Sequence, residues 1–339
     1  MLSAGPISLL VLHDMYNSWL RHDVVNVIRH TTIVGPFLGG FFKIIIMFYK
    51  KTPAKEIIDE INRDYASFNH MGSTYKNIIN QSIANSLKYS EKMWAVVVIT
   101  CVSAFPIMAA FSTMYSYLFE SEPQRYMVHD VMIPYTHPDK RYESPIFEII
   151  FVYMLYACVL YIINFISYDG LFGLSINHAC LKMEIYCNAF EEALKEDNER
   201  KMYSQIVEVI NAQNKLQRFV DLIQDTFNIW LGLILVATMI QIGTCMYLIS
   251  EGYGLDPRYI IFMVGIVTHI YVPCRYSAKL KHMVVKFRNT TFVSSPFYVI
   301  LAKQSLLNWH ALKPLTRELN WSLGICLMEM SIYTSEESK

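Results

Sequence analysis

Three long stretches without a charged residue restrict the fold of this chain more than any other feature of its sequence. Met93–Phe119 has 27 residues, Phe227–Ser250 has 24 and Ile149–Tyr168 has 20. An α-helix needs about 20 apolar residues to cross the hydrocarbon core of a bilayer. Because lipid offers no hydrogen-bond partner to the backbone, a segment that crosses it must be helical. The three stretches therefore predict an all-α membrane protein.

Weaker apolar stretches complete a predicted set of seven crossings. The one that ends at Tyr49 contains Lys43, which lies near its end and is expected to extend its ammonium group to the lipid headgroups. The last one carries Glu329, and the first is long enough for only part of a crossing. We predict a single transmembrane domain over residues 1–339, with spans at about 7–20 (partial), 31–49, 93–119, 146–176, 227–250, 259–274 and 319–333.

Basic residues are concentrated in three alternate connections between these spans. Residues 50–92 carry seven Lys or Arg, residues 169–226 carry six and residues 275–313 carry seven, whereas the other connections and termini carry eight. An excess of Lys and Arg marks the cytoplasmic loops of membrane proteins, so these three connections are predicted to face the cytoplasm. The formal net charge is zero, and nothing in the composition indicates a nucleic-acid partner.

The cytoplasmic connections are predicted to be helical rather than loose. Apolar residues recur at helical spacing between His178 and Gln224, and the polar run Lys195–Lys201 divides them. This pattern predicts two helices that extend the spans over residues 178–224 and meet at a turn, where they form a packing layer. A second extension is predicted over residues 275–313.

The connection over residues 120–145 is different, because it contains Pro123, Pro134, Pro138 and Pro145 among histidines and tyrosines. Proline disrupts regular helix and sheet. Two interpretations of this connection stay open, a lid over an outward-facing cavity and a simple connector.

No motif of a soluble enzyme is present in the sequence. It lacks a phosphate-binding glycine loop, a His-Glu-x-x-His helix and a Gly-x-Ser-x-Gly turn. His178 and Cys180 are two residues apart, a poor spacing for metal ligands on a helix. We therefore expect no catalytic residue, no metal and no cofactor, and do not expect an enzyme.

The interiors of the three strongest spans offer hydroxyl groups, aromatic rings and sulfur instead of charges. A charged side chain costs about 2.5–3.5 kcal/mol at the centre of a membrane helix, and ion-coupled transporters use such residues. Their absence from these spans argues against coupled transport and favours a cavity for an apolar, weakly polar small molecule. The alternative, in which the aromatic side chains only pack helices or form interfacial belts, stays open.

Five short segments, taken in their order and spacing, resemble insect odorant receptors over about residues 20–315. They are Ile57–Asp64, Ser144–Glu148, His178–Ile185, Ile206–Phe219 and Ala311–Leu315. The resemblance implies a seven-transmembrane-helix bundle of the insect chemoreceptor type. It also implies a receptor for volatile odorants that gates a non-selective cation channel as a heterotetramer with an obligate co-receptor. Such a protein would lie among the lipids of the plasma membrane of olfactory sensory neurons.

The same resemblance implies a ligand site in the outer halves of the second, third, fourth and sixth helices, and a pore along the last. Carried onto this chain, the ligand-binding residues are Val34, Phe37, Leu38, Phe41, Met108, Ser112, Tyr115, Tyr153, Tyr156, Ala157, Phe262 and Ile266. The corresponding pore residues are Ser322, Leu323 and Ile325.

Two features depart from the family pattern, and two other receptor classes remain as alternatives. The first helix is partial, and the last is atypical because the Thr-Ala-Gly element expected after Lys313-Pro314-Leu315 is missing. A gustatory-type chemoreceptor channel is the closer alternative, although its Thr-Tyr signature in the last helix is absent. A G-protein-coupled receptor is a more distant one, because Arg63-Asp64-Tyr65 is out of order and follows the wrong helix.

Overall fold

The computed structural model describes residues 5–134, 138–250 and 257–293, and helices make up most of them. No strand occurs within these ranges, which confirms the all-α fold class. A stretch of π-helix, Ser86–Lys92, joins two of the helices, and a 3-10 turn, Pro138–Tyr142, precedes a third. The α-helices are α1 (Gly5–Leu20), α2 (Val24–Tyr49), α3 (Lys51–Phe68), α4 (Ser73–Asn85), α5 (Met93–Phe119), α6 (Ile146–Ala193), α7 (Glu199–Ser250) and α8 (Pro257–Val293).

Five helical segments of the described chain are long and apolar enough to cross a membrane. The predicted spans 31–49, 93–119, 146–176, 227–250 and 259–274 lie within them. Helix α1 has 16 residues, which at about 1.5 Å per residue is shorter than the hydrocarbon core. The predicted span 319–333 lies outside the described residues. The five segments are Val24–Tyr49, Ser73–Phe119, Ile146–Ala193, Glu199–Ser250 and Arg258–Phe287.

The chain divides into two compact units. Unit 1 takes its described residues from Met1–Ile46, Glu91–Gly170 and Leu233–Ile270. Unit 2 takes its described residues from Met47–Ser90, Leu171–Gly232 and Tyr271–Lys339. The single transmembrane domain over residues 1–339 stays a prediction.

Polar side chains just before two helices explain where those helices begin. The backbone N–H of Asn26 donates to Asp23 Oδ1 at 3.1 Å, at the start of α2. This hydrogen bond lowers the pKa of the Asp23 carboxyl. At the start of α7, Asn198 Oδ1 accepts from the backbone N–H groups of Arg200 and Lys201 at 3.1 and 3.3 Å. Such caps contribute about 1 kcal/mol each. The turn that Asn198 ends, over residues 194–198, lies in the polar run of the sequence.

Apolar contacts between α3, α4, α6 and α7 form the core of unit 2. Phe68 of α3 and Ile79 of α4 pack against Leu181 and Ile185 of α6. Past this point, the ends of α6 and α7 next to their turn pack through a second set of side chains. That set consists of Phe190, Ala193, Met202, Ile206 and Val209.

A polar group on α3 and α6 accompanies this core. Lys182 Nζ donates to Glu60 and Asp64 at 2.7 and 2.8 Å, and His178 Nε2 lies 2.8 Å from Asp64 Oδ2. Burial of Asp64 opposes its ionisation, but the hydrogen bonds with His178 and Lys182 outweigh it and keep the pKa of Asp64 below its ordinary value. Helices α3 and α6 of unit 2 thus share a structured polar interior.

Small residues allow helices of unit 1 to approach closely. A Cβ atom placed on Gly265 of α8 would lie only 2.5 Å from Cys101 Sγ of α5. Glycine is the residue that permits such close helix contacts in membranes. By contrast, a Cβ on Gly243 of α7 would meet no atom within 4 Å.

Candidate functional site

One apolar cluster of unit 1 is made by α1, α2, α6 and the connection that precedes α6. Its members are mostly aliphatic, and partly buried aromatic side chains pack against it, among them Phe105, Tyr153 and Tyr161. Small-molecule sites have this composition, an apolar wall with few hydrogen-bonding groups. The buried members are Ile7, Val11, Val34, Val128, Val131, Met154 and Ala157. We refer to these seven residues as the outer cluster.

The structure brings several of the predicted ligand-binding residues to the outer cluster. Val34 and Ala157 belong to it, and Tyr153 packs against it. The ring of Phe262 lies 6.0 Å from that of Phe105, which itself packs against the cluster. Ile266, on the same helix as Phe262, is buried. Helices α2, α6 and α8 therefore each contribute predicted residues to one region of unit 1.

Other predicted ligand-binding residues lie on the outside of the chain. The exposed fractions of Leu38, Phe41, Tyr115 and Tyr156 range from 41 to 50%. Membrane helices carry apolar residues towards both lipid and protein, so hydropathy alone does not identify the inward face. Phe37, Met108 and Ser112 are partly buried, and Phe37 stacks on Phe41 with ring centroids 6.3 Å apart. The predicted pore residues Ser322, Leu323 and Ile325 lie outside the described residues.

Sequence reasoning missed the contribution of residues 127–133. Met127, Val128 and Val131 are buried, and the two valines belong to the outer cluster. The only signal was a local excess of apolar residues in Met127–Ile133, interrupted by His129 and Asp130, inside an otherwise polar connection. Part of this connection therefore forms a packed cover over Val34, Met154 and Ala157.

A buried polar network holds this cover on α1 and α2. His30 Nδ1 lies 2.9 Å from His129 Nε2, and the other ring nitrogen of His30 lies 3.4 Å from Asp14 Oδ2. The backbone N–H of Met132 donates to Asp14 at 2.8 Å. All three side chains, Asp14, His30 and His129, are buried. In this pair of rings one nitrogen donates and the other accepts, and the tautomers of the two histidines set the direction.

Burial and nearby cations keep His129 neutral. Burial is the largest effect, and with His30, Arg29 and Arg258 it holds the pKa of His129 well below the ordinary value of 6.5, while Asp14 acts in the opposite direction. A second set of contacts lies beside it, in which Tyr142 donates to Asp130 at 2.8 Å and Arg29 lies 3.8 Å from the same carboxylate. Burial, followed by Asp130, raises the pKa of Tyr142 to about 12.

Unit 1 also contains a buried ion cluster that overturns the expectation for Lys43. The ammonium group does not reach towards headgroups, because Lys43 is 1% exposed and donates to both carboxylate oxygens of Asp169 at 2.7 and 2.9 Å. His269 Nε2 lies 3.2 Å from Asp169 Oδ2. The sequence pattern did not indicate Asp169 as the partner of Lys43, because Asp169 comes directly after the uncharged stretch that ends at Tyr168. In the structure, α6 continues through Asp169.

The described residues form no cluster suited to binding a metal ion. Within residues 5–134, 138–250 and 257–293, no group of three or more His, Cys, Asp or Glu side chains has the arrangement of a metal site. His30, His129 and His269 of unit 1 instead contact carboxylates or each other.

Comparison with known proteins decides the family. The family model for the 7tm odorant receptors matches residues 23–303. The chain belongs to the 7tm odorant receptor family. This odorant receptor family comprises receptors and channels rather than enzymes. A comparison with curated proteins found no match.

Solved structures show the fold of this odorant receptor family member. The chain is similar to the insect olfactory receptor OR5 from Machilis hrabei, with a TM-score of 0.66 and 13% identity over 98% of this chain and 86% of that one. It is also similar to the structure of that receptor in complex with eugenol, with a TM-score of 0.62 and 12% identity over 96% and 87%. The predicted insect chemoreceptor bundle is thereby confirmed.

Proposed function

We propose that this chain is an odorant receptor subunit that binds volatile small molecules in unit 1 and gates a non-selective cation channel together with an obligate co-receptor. The observation that supports this most directly is the outer cluster, which combines the predicted ligand residues Val34 and Ala157 with the cover residues Val128 and Val131. In this proposal the cover is a lid, and a ligand lies between it and α2 and α6.

The side chains of the outer cluster define the class of ligand. They present aliphatic carbon, the sulfur of Met154 and, at the edge, the rings of Phe105 and Tyr153. None of the seven buried members is charged, so a neutral ligand with few hydrogen-bonding groups fits best. Such a molecule buries about as much surface as an aromatic side chain, roughly 200 Å². At about 25 cal/mol per Å² this contributes about 5 kcal/mol before the costs of association, so we expect modest affinity.

Gating requires that the ligand favour one arrangement of the helices. A ligand that bound the closed and open arrangements equally would shift nothing. The predicted ligand residues lie on α2, α5, α6 and α8, so a ligand among them biases the relative positions of these helices in unit 1. The pore in this proposal is lined by Ser322, Leu323 and Ile325.

The surface of unit 1 is suited to lipid and to other subunits. Large apolar side chains lie exposed on the membrane-competent helices, among them Phe111, Val152 and Val236. With the lysine- and arginine-rich connections in the cytoplasm, the chain would lie in the plasma membrane of olfactory sensory neurons, as one subunit of a heterotetramer with the co-receptor.

Current recordings test the proposal. The chain is expressed with an insect co-receptor, and cation current is recorded while a broad panel of neutral volatiles is applied. We expect ligand-dependent current that needs both subunits, with the co-receptor alone as the control. Absence of current across the panel, with the chain detected at the cell surface, would contradict the proposed function.

A further inference from the structure

The buried cluster of Lys43, Asp169 and His269 has no role in the ligand site described above. Its three side chains come from α2, α6 and α8, and each lies in a helix long and apolar enough to cross a membrane. Ionisable residues inside such helices are expensive, and they are retained where they pair with one another and serve a function. The cluster therefore requires a functional explanation.

Aromatic side chains close this cluster off from its surroundings. Lys43 Nζ lies 3.9 Å from the ring centre of Phe165, and the ring of Trp94 stacks on that of His269 at 5.2 Å with an 11° angle between the planes. Trp94 also donates from its indole N–H to the backbone oxygen of Phe165 at 3.4 Å. Through Trp94, helix α5 joins the same group, so four helices of unit 1 meet at one ion pair.

Each of the three helices that carry the charges also carries predicted ligand residues. Val34 lies on α2 with Lys43, and Ala157 lies on α6 with Asp169. Phe262 and Ile266 lie on α8 at positions seven and three residues before His269, on one face of the helix. Because the outer cluster is packed with its own side chains, a ligand that enters it must displace one of the elements around it, and we infer that α2 or α6 moves. The same displacement strains the contact between Lys43 and Asp169.

We propose that Lys43, Asp169 and His269 form a charged latch that holds α2, α6 and α8 in the closed arrangement, and that ligand-driven opening requires the latch to separate. The proposal rests on the proposed function and deepens it. A strong latch raises the ligand concentration needed for opening, and a weak one lowers it, because the ligand works against the equilibrium that the latch sets.

The test replaces the latch without leaving a buried charge. The double variant Lys43→Met with Asp169→Leu substitutes apolar side chains of similar size, a change that buried ion pairs often tolerate. Concentration–response curves for a ligand that activates the wild type are recorded with the co-receptor. We expect the half-maximal concentration to fall at least about tenfold and the ligand-independent fraction of the current to rise.

The matched control removes an ion pair that is not buried. Lys50 and Asp225 of unit 2 are joined at 2.6 Å, but their side chains are 26% and 57% exposed. The double variant Lys50→Met with Asp225→Leu is expected to leave the half-maximal concentration within about twofold of wild type, since exposed pairs contribute little.

A second variant provides a readout if the first does not reach the cell surface. His269→Phe keeps a ring beside Trp94 and Phe165 and removes only the contact to Asp169, so a smaller shift in the same direction is expected, about threefold. A merely structural cluster would lower the amount of protein without moving the half-maximal concentration.

The outcomes separate the latch from the proposed function. If the wild type conducts but the latch variants at normal surface levels show an unchanged or raised half-maximal concentration, the latch is overturned. If the wild type gives no ligand-dependent current, the proposed function fails and the latch falls with it.

Discussion

His30 and His129, which are 99 positions apart in the chain, share a buried hydrogen bond of 2.9 Å that fixes the connection before α6 to α2. Asp14 on α1 lies on the other side of His30 and also accepts from Met132 of the connection. These contacts place Val128 and Val131 against the predicted ligand residues Val34 and Ala157. The histidine pair therefore decides whether the proposed lid stays on the outer cluster.

We expect the purified chain to lose stability as the pH falls below about 6.5. The pKa of His129 is well below this value in the folded protein, under the influence of burial, His30, Arg29 and Arg258, with Asp14 opposing. Between the folded pKa of His129 and about pH 6.5, the unfolded chain binds more protons than the folded one. The contribution of neutral His129 to the free energy of unfolding is therefore complete above about pH 6.5 and is lost as the pH falls towards the folded pKa. Thermal unfolding in detergent at pH 7.5 and pH 5.5 measures this.

The variant His129→Gln identifies the group responsible. Its side-chain amide can still hydrogen-bond with His30, as donor or acceptor, but it does not titrate, so we expect a smaller difference between the two pH values than in the wild type. The lowered pKa of Asp64 acts in a separate range, below its ordinary value of 3.8. An unchanged pH difference in His129→Gln would show that another group causes it.

The polar group of unit 2 is expected to stabilise the fold. Asp64→Asn removes the charge that faces His178 and Lys182 and should lower the free energy of unfolding by about 2 kcal/mol, less than a fully buried pair because the Asp64 side chain is 24% exposed. Asp59→Asn on the exposed face of α3 is the matched control, with an expected change within about 0.5 kcal/mol. Thermal unfolding of the two variants in parallel is the measurement. Equal effects would contradict this assignment.

The close contact between α8 and α5 predicts opposite effects for two glycine substitutions. Gly265→Ala brings a methyl group against Cys101 Sγ and should destabilise the chain by about 1–3 kcal/mol. Gly243→Ala adds the same methyl group in open space within a helix and should stabilise by up to about 1 kcal/mol. Pairing Gly265→Ala with Cys101→Ala should recover part of the loss. Calorimetric unfolding compares these three variants with the wild type. An unchanged free energy of unfolding in Gly265→Ala would contradict the close contact with Cys101.

Helix positions could be predicted from the sequence where the pattern is local. The uncharged stretch Met93–Phe119 coincides with α5, because composition alone determines which segment must be helical in lipid. The break between α6 and α7 lies in the polar run around Asn198, since Asn favours helix starts. Order and spacing of short segments were enough to identify the family.

Contacts between distant residues could not be predicted in this way. Lys43 and Asp169 are 126 positions apart, and Asp169 is the first residue after an uncharged stretch, so position along the chain predicts an interfacial location for each. The cover residues Val128 and Val131 lie in a segment whose apolar residues follow neither helical nor strand periodicity. The inward face of α6 was only partly identified, as the exposed Tyr156 shows, because apolar residues surround the whole helix.

The most direct test of the central claim, that a volatile ligand lies in the outer cluster, is the size dependence of activation in Ala157→Leu. Ala157 is 4% exposed, and Val152→Leu, on the 63% exposed face of the same helix, is the control. Concentration–response curves are recorded with the co-receptor for neutral ligands that differ only in chain length. We predict that Ala157→Leu raises the half-maximal concentration at least about tenfold for the longest active ligand and progressively less for shorter ones, while Val152→Leu follows the wild type. Equal curves for Ala157→Leu and wild type at every ligand length, with normal surface levels, would contradict the account.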